Sequence, residues 1–546
     1  MQVFLRRQYA TAFRSRHHVP KQTQTLHPLE PHTLSARLKK LADKNQLDLA
    51  VSMLKNAPLA AQNTPVWNTL IWECAKARRY KLAYELFVDM KRRGFNPTTR
   101  TFQTMFTGLS HIDNWSSYTM QLKNARSLYS QYQRHVEDLR KRDPSSPELA
   151  VDPIPAYVTV LGNAKQYDEL FALYYVASKS APPTKFLFTA IFKALSTHVS
   201  AEQDEKNAAD AKVLWREALK IPNLDIDGVM VTSAIQALSR GQSSEKKLAF
   251  QIMREYFGLS LSGEPAAVPK VPLSSASLAA ALSLCATSDT PEEAIHIFRQ
   301  VLKRPPADGG ANIVDRLHME TVFKALQPAG LATLALETLD WMQTSSKLAP
   351  TRWAYQLVLL TCQKAADWSI ATRVFGMMTG YHPHDFVDGA VAPIPRLRQR
   401  ADVYHPDAET MSCMLRIARA TDNCAHMRQC LRITTHLDSV GDGLFARESA
   451  KTMSVKSLKT WAFSVVKLAE AVVETVDFVA ANGPSTSIAE VDRWGHLRRV
   501  AMGVLSQKPE STPPLKPKPR DRTSTTKKRA HKPAKTLTAY EKSFAA

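Results

Sequence analysis

Between residues 64 and 98 the apolar positions follow a helical period twice over. Trp67, Leu70, Ile71, Cys74 and Ala75 fall at i, i+3, i+4, i+7 and i+8, which predicts a first helix with one apolar face. Ala83, Leu86, Phe87 and Met90 repeat the pattern on a second helix. Lys91, Arg92 and Arg93 suit the negative end of its dipole, Gly94 can close it, and Asn96-Pro97 interrupts the chain. Phe102, 35 residues after Trp67, opens another apolar face through Met105, Phe106 and Leu109.

A second clear copy occupies residues 352–378, where Tyr355, Lys364, Ala365, Ala371, Phe375 and Met378 reproduce the spacing of Trp67, Lys76, Ala77, Ala83, Phe87 and Met90. Weaker copies begin near Leu34, Tyr157, Phe188, Val231, Leu278, Met319 and Met411. From Trp67 onward the intervals are 35, 55, 31, 43, 47, 41, 36 and 56 residues, the longer ones holding loop insertions at 140–155, 258–272 and 379–400. A helix pair with one apolar face per helix cannot close a core alone, so the pairs must stack. The expected fold is all-α: a right-handed α-solenoid of stacked antiparallel helix pairs over residues 31–440. Amphipathic stretches at 455–480 (Val455, Leu458, Phe463, Val466, Ala469) and around Trp494–Leu505 predict a helical cap over 441–506.

The 64–98 unit resembles a pentatricopeptide repeat. It has 35 residues, Trp67 and Asn68 at the fourth and fifth positions, Lys76-Ala77 at 13–14, Ala83 at 20, Leu86-Phe87 at 23–24, Met90 at 27, Gly94 at 31 and Pro97 at 34. With its degenerate copies and long insertions the chain is similar to the divergent pentatricopeptide proteins of fungal mitochondria. The tetratricopeptide repeat is the nearest competitor, but Trp67 is followed by Leu70-Ile71 rather than by Leu-Gly and a Tyr.

The resemblance implies that the concave surface binds single-stranded RNA, about one base per repeat, read by the fifth and last residues of each unit. Carried over by position, these are Asn68 and Thr98, then Gln103, then Thr189 with Asp225, Glu320 with Thr351, Gln356 with Asp407, and Ser412. Val158, paired with Thr184, and Ala279 depart from the pattern. A polar residue in a first helical turn also serves as a cap, which is the alternative for each of these positions. The aromatics Trp67, Phe102, Tyr157 and Phe188 recur at the packed fourth position and are expected in the core.

Composition narrows the function. Glycine is scarce, 18 of 546 residues, and neither G-x-x-x-x-G-K-[ST] nor G-x-G-x-x-G occurs, so no phosphate-cradling loop is expected. A G-x-S-x-G elbow and the H-x-E with P-C-x-x-C signature of zinc deaminases are also missing. The expectation is a non-enzyme with no cofactor, no small-molecule substrate and no membrane span, since no apolar run reaches the ~18 residues a span needs. Tyr381-His382-Pro383-His384-Asp385, the densest polar group, reads as a loop. The six cysteines are scattered through apolar helical pattern, and Cys413, Cys424, His426 and Cys430 lack C-x-x-C or H-E-x-x-H spacing, so buried free thiols are expected rather than a metal site.

The net charge of +22 first suggests an anionic partner. Five of these charges lie in residues 1–29, which hold no acidic residue, and a net eight lie in 507–546, which leaves nine for the 477 residues between. Arg6, Arg7, Arg14, Arg16 and Lys21 interleaved with Val3, Phe4, Leu5, Tyr9 and Phe13 fit a mitochondrial presequence over residues 1–30. The tail, with six prolines and the Lys527-Lys528-Arg529 run, is expected to be disordered. The function expected from the resemblance is binding of organellar mRNA or rRNA in the mitochondrial matrix, in processing, stability or translation, with small-ribosomal-subunit rRNA maturation as a specific case. Mitoribosomal or other RNA-processing proteins are the further partners. The alternative is a protein-binding scaffold or assembly factor for the mitoribosome or a respiratory complex.

Overall fold

The computed structural model describes residues 29–265, 267–344, 348–386, 404–439, 443–445, 455–483 and 487–506. The expected presequence up to residue 28, the basic tail 507–546 and residues 387–400 of the third insertion lie outside the described residues. Among the described residues the secondary structure is helical throughout, with 22 α-helices and no strand. They fall into two compact units that divide between Ala365 and Ala366.

The first unit holds α1 (Pro31–Asp43), α2 (Leu47–Asn56), α3 (Thr64–Lys76), α4 (Tyr80–Arg92), α5 (Thr99–Leu109), α6 (Thr119–Arg142), α7 (Ile154–Asn163), α8 (Tyr167–Ser180) and α9 (Lys185–Leu195). It continues through α10 (Ala201–Lys220), α11 (Gly228–Leu238), α12 (Ser243–Phe257), α13 (Ser275–Ala286), α14 (Glu293–Leu302), α15 (Arg316–Ala329), α16 (Ala332–Thr344) and α17 (Arg352–Ala365). The second unit holds α18 (Trp368–Thr379), α19 (Ala408–Ala420), α20 (Cys424–Ser439), α21 (Val455–Asn482) and α22 (Ile488–Ser506).

Within the first unit each odd-numbered helix packs on the next, from α1 on α3 through to α15 on α17. Their fourth-position residues, Trp67, Phe102, Tyr157, Phe188, Val231, Leu278, Met319 and Tyr355, are all buried. Aromatic contacts bridge successive pairs: Phe87 and Phe102 have ring centroids 6.0 Å apart, Phe106 and Tyr157 4.9 Å, and Trp215 and Tyr256 5.6 Å. The approach is close enough to select side chains. A Cβ on Gly162 of α7 would lie 2.3 Å from the Ala194 Cβ of α9, and one on Gly108 of α5 would lie 2.7 Å from the Ala75 Cβ of α3.

The even-numbered helices are tied differently, by long polar side chains that reach from one to the next. Lys55 of α2 meets Asp89 of α4 at 2.7 Å, and Lys91 of α4 donates to Gln131 of α6 at 2.6 Å. Arg126 of α6 holds Glu169 of α8, Tyr174 of α8 donates to Glu217 of α10 at 2.8 Å, and Lys212 of α10 meets Glu245 of α12 at 2.9 Å. Arg299 of α14 meets Glu337 of α16 at 2.8 Å. Exposed pairs of this kind contribute about 0.2–1 kcal/mol each, so the odd row carries most of the cohesion.

One turn recurs inside the pairs. After α1, α3, α7 and α15 the backbone closes with paired six-residue and four-residue hydrogen bonds, as in Arg79 N–H to Cys74 O and Arg78 N–H to Ala75 O, both 2.9 Å. The residue at the bend has positive φ: Asn45, Arg78, Lys165 and Gly330 at these turns, and Ala366 and Asp422 at the matching places after α17 and α19. Only one of the six is glycine, so the turn is imposed by the packing of the two helices it joins.

The sequence expectations shift at four points. Residues 140–142 of the first insertion continue α6, which runs 24 residues, and Pro147–Ala150 forms a short 3-10 turn before α7. The helices expected as a separate cap after 440 share a compact unit with α18–α20, because α21 packs on α19 and α22 on both α21 and α20. The second clear repeat straddles the division between the units. Phe463, assigned to the apolar face of α21, is 64% exposed with the Lys467 ammonium 5.7 Å from its ring centroid, while Val465, Leu468 and Val472 form the buried side.

Two substitutions test this packing. Gly162→Ala sets a methyl against Ala194 and is expected to destabilise the chain by about 1–3 kcal/mol. Arg78→Gly relieves the left-handed backbone at φ 60 of an exposed side chain, for an expected gain of about 0.5–1 kcal/mol after the entropy of glycine is subtracted. Chemical denaturation of the full-length variants reads both.

Candidate functional site

The apolar stripe of each first helix is consumed by its neighbours, which leaves one strip per helix for solvent. On α3 that strip comprises Pro65, Asn68, Thr69, Trp72 and Lys76, the positions i, i+3, i+4, i+7 and i+11. Equivalent strips run along α5, α9, α15 and α17, so the fifth-position residues Asn68, Gln103, Thr189, Glu320 and Gln356 stand one per helix, each half-buried. The Asn68 Oδ1 is buried and has no hydrogen-bond partner. Thr189 donates to Lys185 O at 2.7 Å, and Glu320 lies 4.0 Å from Lys324 Nζ. Val158 of α7 is fully buried, and Thr232, the α11 counterpart, donates to Gly228 O and shares a 2.8 Å contact with Ser277. Ala279 of α13 is half-buried.

The last-position residues sit at the starts of the following first helices. The Thr98 N–H donates to Thr101 Oγ1 at 3.1 Å ahead of α5, Thr184 accepts from Leu187 N–H at 3.4 Å, and Thr351 accepts from Ala354 N–H at 3.3 Å. These oxygens satisfy helix-end N–H groups, a role worth about 1 kcal/mol each. For the Phe188 unit the structure corrects the alignment by two residues. Asp227 caps α11 through Val229 and Met230 N–H, whereas Asp225 lies ahead of the cap in an ion pair with Lys185. Asp407 and Ser412 belong to the second unit. Asp407 accepts from Thr410 N–H at 3.0 Å as the cap of α19, and Ser412 is only 4% exposed.

Two sets of residues on the same strips escaped sequence reasoning. Two positions before the packed fourth residue, Phe186, Val229, Leu317 and Trp353 are 64%, 54%, 68% and 44% exposed, an apolar ladder along α9, α11, α15 and α17. An apolar residue at i−2 from a core position lies about 200° around the helix from it, so the sequence signal was an apolar position out of phase with the stripe. The second set is cationic. Lys193 and Lys364 lie one and two turns beyond Thr189 and Gln356, both exposed and without an ion-pair partner among the described residues. Lys76 is also exposed, two turns beyond Asn68; its hydrogen bond to Glu73, 2.9 Å, holds it above the usual lysine range.

The cysteines take no part in this face. Cys74, Cys285, Cys362 and Cys430 are buried, and burial pushes the Cys74 thiol up to about 12, where it is neutral and unreactive. Among the described residues no group of three or more His, Cys, Asp or Glu side chains is arranged to hold a metal ion, and no helix is long and apolar enough to cross a membrane.

A row of packed first helices that presents one polar side chain per repeat defines an α-helical repeat protein. Residues 62–111, spanning α3, α4 and α5, match the PPR repeat family. Among solved structures it is similar to the pentatricopeptide repeat protein PPR10 from maize, at 14% identity and a TM-score of 0.34 over 87% of this chain and 68% of that one. It is also similar to PPR10 in complex with an 18-nt psaJ RNA element, at 12% identity and a TM-score of 0.28 over 88% and 85% of the two chains. No curated protein sequence matches the chain.

The orphaned acceptor on Asn68 gives a direct test of the face. Asn68→Leu removes an unsatisfied buried oxygen while filling similar space, and is expected to raise folding stability by about 1 kcal/mol, read as a higher denaturation midpoint at unchanged m-value.

Proposed function

We propose that this chain binds single-stranded RNA along the first-helix face of residues 31–365 and acts in the mitochondrial matrix on organellar mRNA or rRNA. The observation that carries the reading is the register of that face. Half-buried hydrogen-bonding side chains stand at the fifth position of five of the first helices, at Asn68, Gln103, Thr189, Glu320 and Gln356, and residues 62–111, which hold the first two, match the PPR repeat family. Repeats of this family read one base each through two or three side chains. The exposed ladder Phe186, Val229, Leu317 and Trp353 supplies surfaces for base faces, and Lys193 and Lys364 supply phosphate contacts. The mitochondrial part rests on the Arg-bearing, acid-free residues 1–29. Within the matrix the reading extends to RNA processing, stability or translation, with maturation of small-subunit rRNA as the specific case and mitoribosomal proteins as further partners.

The ladder also favours a second reading, an apolar protein partner, and salt separates the two. For RNA that contacts Z phosphates the log–log salt slope is near −0.7Z, so binding weakens steeply with ionic strength. With RNA enriched from a randomised single-stranded pool, Lys193→Gln is expected to weaken every bound sequence alike and to flatten the slope by about 0.7. A salt-independent affinity, or a pool from which nothing is enriched, removes the RNA reading. Import of the radiolabelled full-length precursor into isolated mitochondria, with protease protection after outer-membrane rupture, tests the compartment.

A further inference from the structure

The apolar ladder does not extend through the whole first unit. At the position held by Phe186, Val229, Leu317 and Trp353, the earlier first helices α3, α5 and α7 carry Pro65, Arg100 and Pro155. The early helices therefore lack a flat or branched apolar side chain at the site where the later ones expose it. On α3 a different residue faces the same solvent strip. Trp72 lies four residues, about one turn, beyond Asn68 and four before Lys76, so the three side chains line one face at a spacing of roughly 6 Å.

The two tryptophans of α3 are built for different tasks. Trp67 is fully buried, lies against Phe95 and has the Arg93 guanidinium 5.7 Å from its ring. Trp72 is half-buried and meets the His111 ring edge-on, with centroids 5.9 Å apart and planes at 71°. His111 is itself fixed by a 2.7 Å hydrogen bond between its Nδ1 and Thr107 O. That edge contact orients the half-buried indole, and the half-buried Asn68 lies one turn away on the same strip.

We propose that Trp72 is a nucleobase-stacking platform, and that with Asn68 it forms a one-nucleotide site at the amino-terminal end of the interface. The base lies on the indole face, Asn68 Nδ2 on the solvent strip donates to an acceptor of the base edge, and Lys76 exchanges its exposed contact with Glu73 for the adjoining phosphate. Trp72 thus takes over in α3 the apolar contact that the ladder supplies from α9, α11, α15 and α17. This inference rests on the RNA reading above and adds to it a residue off the ladder and a base edge that must present an acceptor.

The test uses full-length protein and the RNA that it enriches from a randomised single-stranded pool. Stacking on an aromatic is worth about 1–3 kcal/mol per base, so Trp72→Ala is expected to weaken binding roughly 5- to 150-fold. Trp72→Leu, which keeps apolar volume but offers no π-face, is expected to fall nearly as far, while Trp72→Phe stays within about 3-fold of the parent. With 5-iodouridine placed at each position in turn, irradiation should give one position whose peptide adduct maps to Trp72 by mass spectrometry. An equal affinity for Trp72→Leu and the parent on an RNA that the parent binds, or an adduct map that omits Trp72, overturns the platform and leaves the RNA reading standing. A pool from which the parent enriches nothing overturns both.

Discussion

The contact between successive first helices governs this molecule. At α7 and α9 the backbones approach until a single additional methyl on Gly162 would overlap Ala194, and Gly108 and Ala75 repeat the arrangement between α5 and α3. Cores are packed as densely as organic crystals, so such an approach fixes the relative position of two helices far more tightly than an ion pair between flexible side chains does. The polar bridges of the even-numbered row, Lys55–Asp89 or Arg299–Glu337, then follow the spacing set by the odd-numbered row. The positive φ at Arg78, Lys165 and Ala366 belongs to the same hierarchy, since the packed helices impose a bend that these residues would not choose alone.

Packing also decides which atoms remain for a ligand. Each first helix spends its apolar stripe on its neighbours, and each following helix start spends an oxygen on its cap. Thr184, Thr351 and Asp227 are held by backbone N–H groups, so whatever they offer a base comes from a remaining lone pair or hydroxyl proton. Asn68, Gln103 and Gln356 lie outside the cap and keep their amides for the solvent strip. The fifth position thus keeps more of its polar surface for solvent than the last, and does so unevenly along the chain because Val158 and Thr232 are buried.

The repeat was legible in the sequence because helical periodicity and core packing are two views of one constraint. The fourth-position residues Trp67, Phe102, Tyr157 and Phe188 fall in the core as their spacing requires. The end of α6 and the placing of the cap of α11 were not legible. A run such as Arg140-Lys141-Arg142 is equally at home in a loop or in the last turn of a helix, and Asp225 and Asp227 are chemically identical candidates two residues apart. The ladder and Trp72 were hidden for another reason. A stripe analysis counts apolar residues that are in phase, and these are out of phase because they serve a surface rather than the core.

An out-of-phase tryptophan beside an orphaned amide oxygen has a cost that bears on function. A buried acceptor without a partner forfeits about 1–3 kcal/mol of desolvation, and a half-exposed indole leaves apolar area in water. Neither contributes to the odd-row packing that holds the unit together, and leucine at position 68 would serve that packing at least as well. A ligand that covers Trp72 recovers the second loss on binding, so part of the cost carried by the free protein becomes part of the affinity of the complex. The neighbouring Trp67 is enclosed entirely, against Phe95 and beneath the Arg93 guanidinium, so its apolar area is already removed from water and a ligand gains nothing from it, although its indole N–H, like the Asn68 oxygen, is buried without a partner.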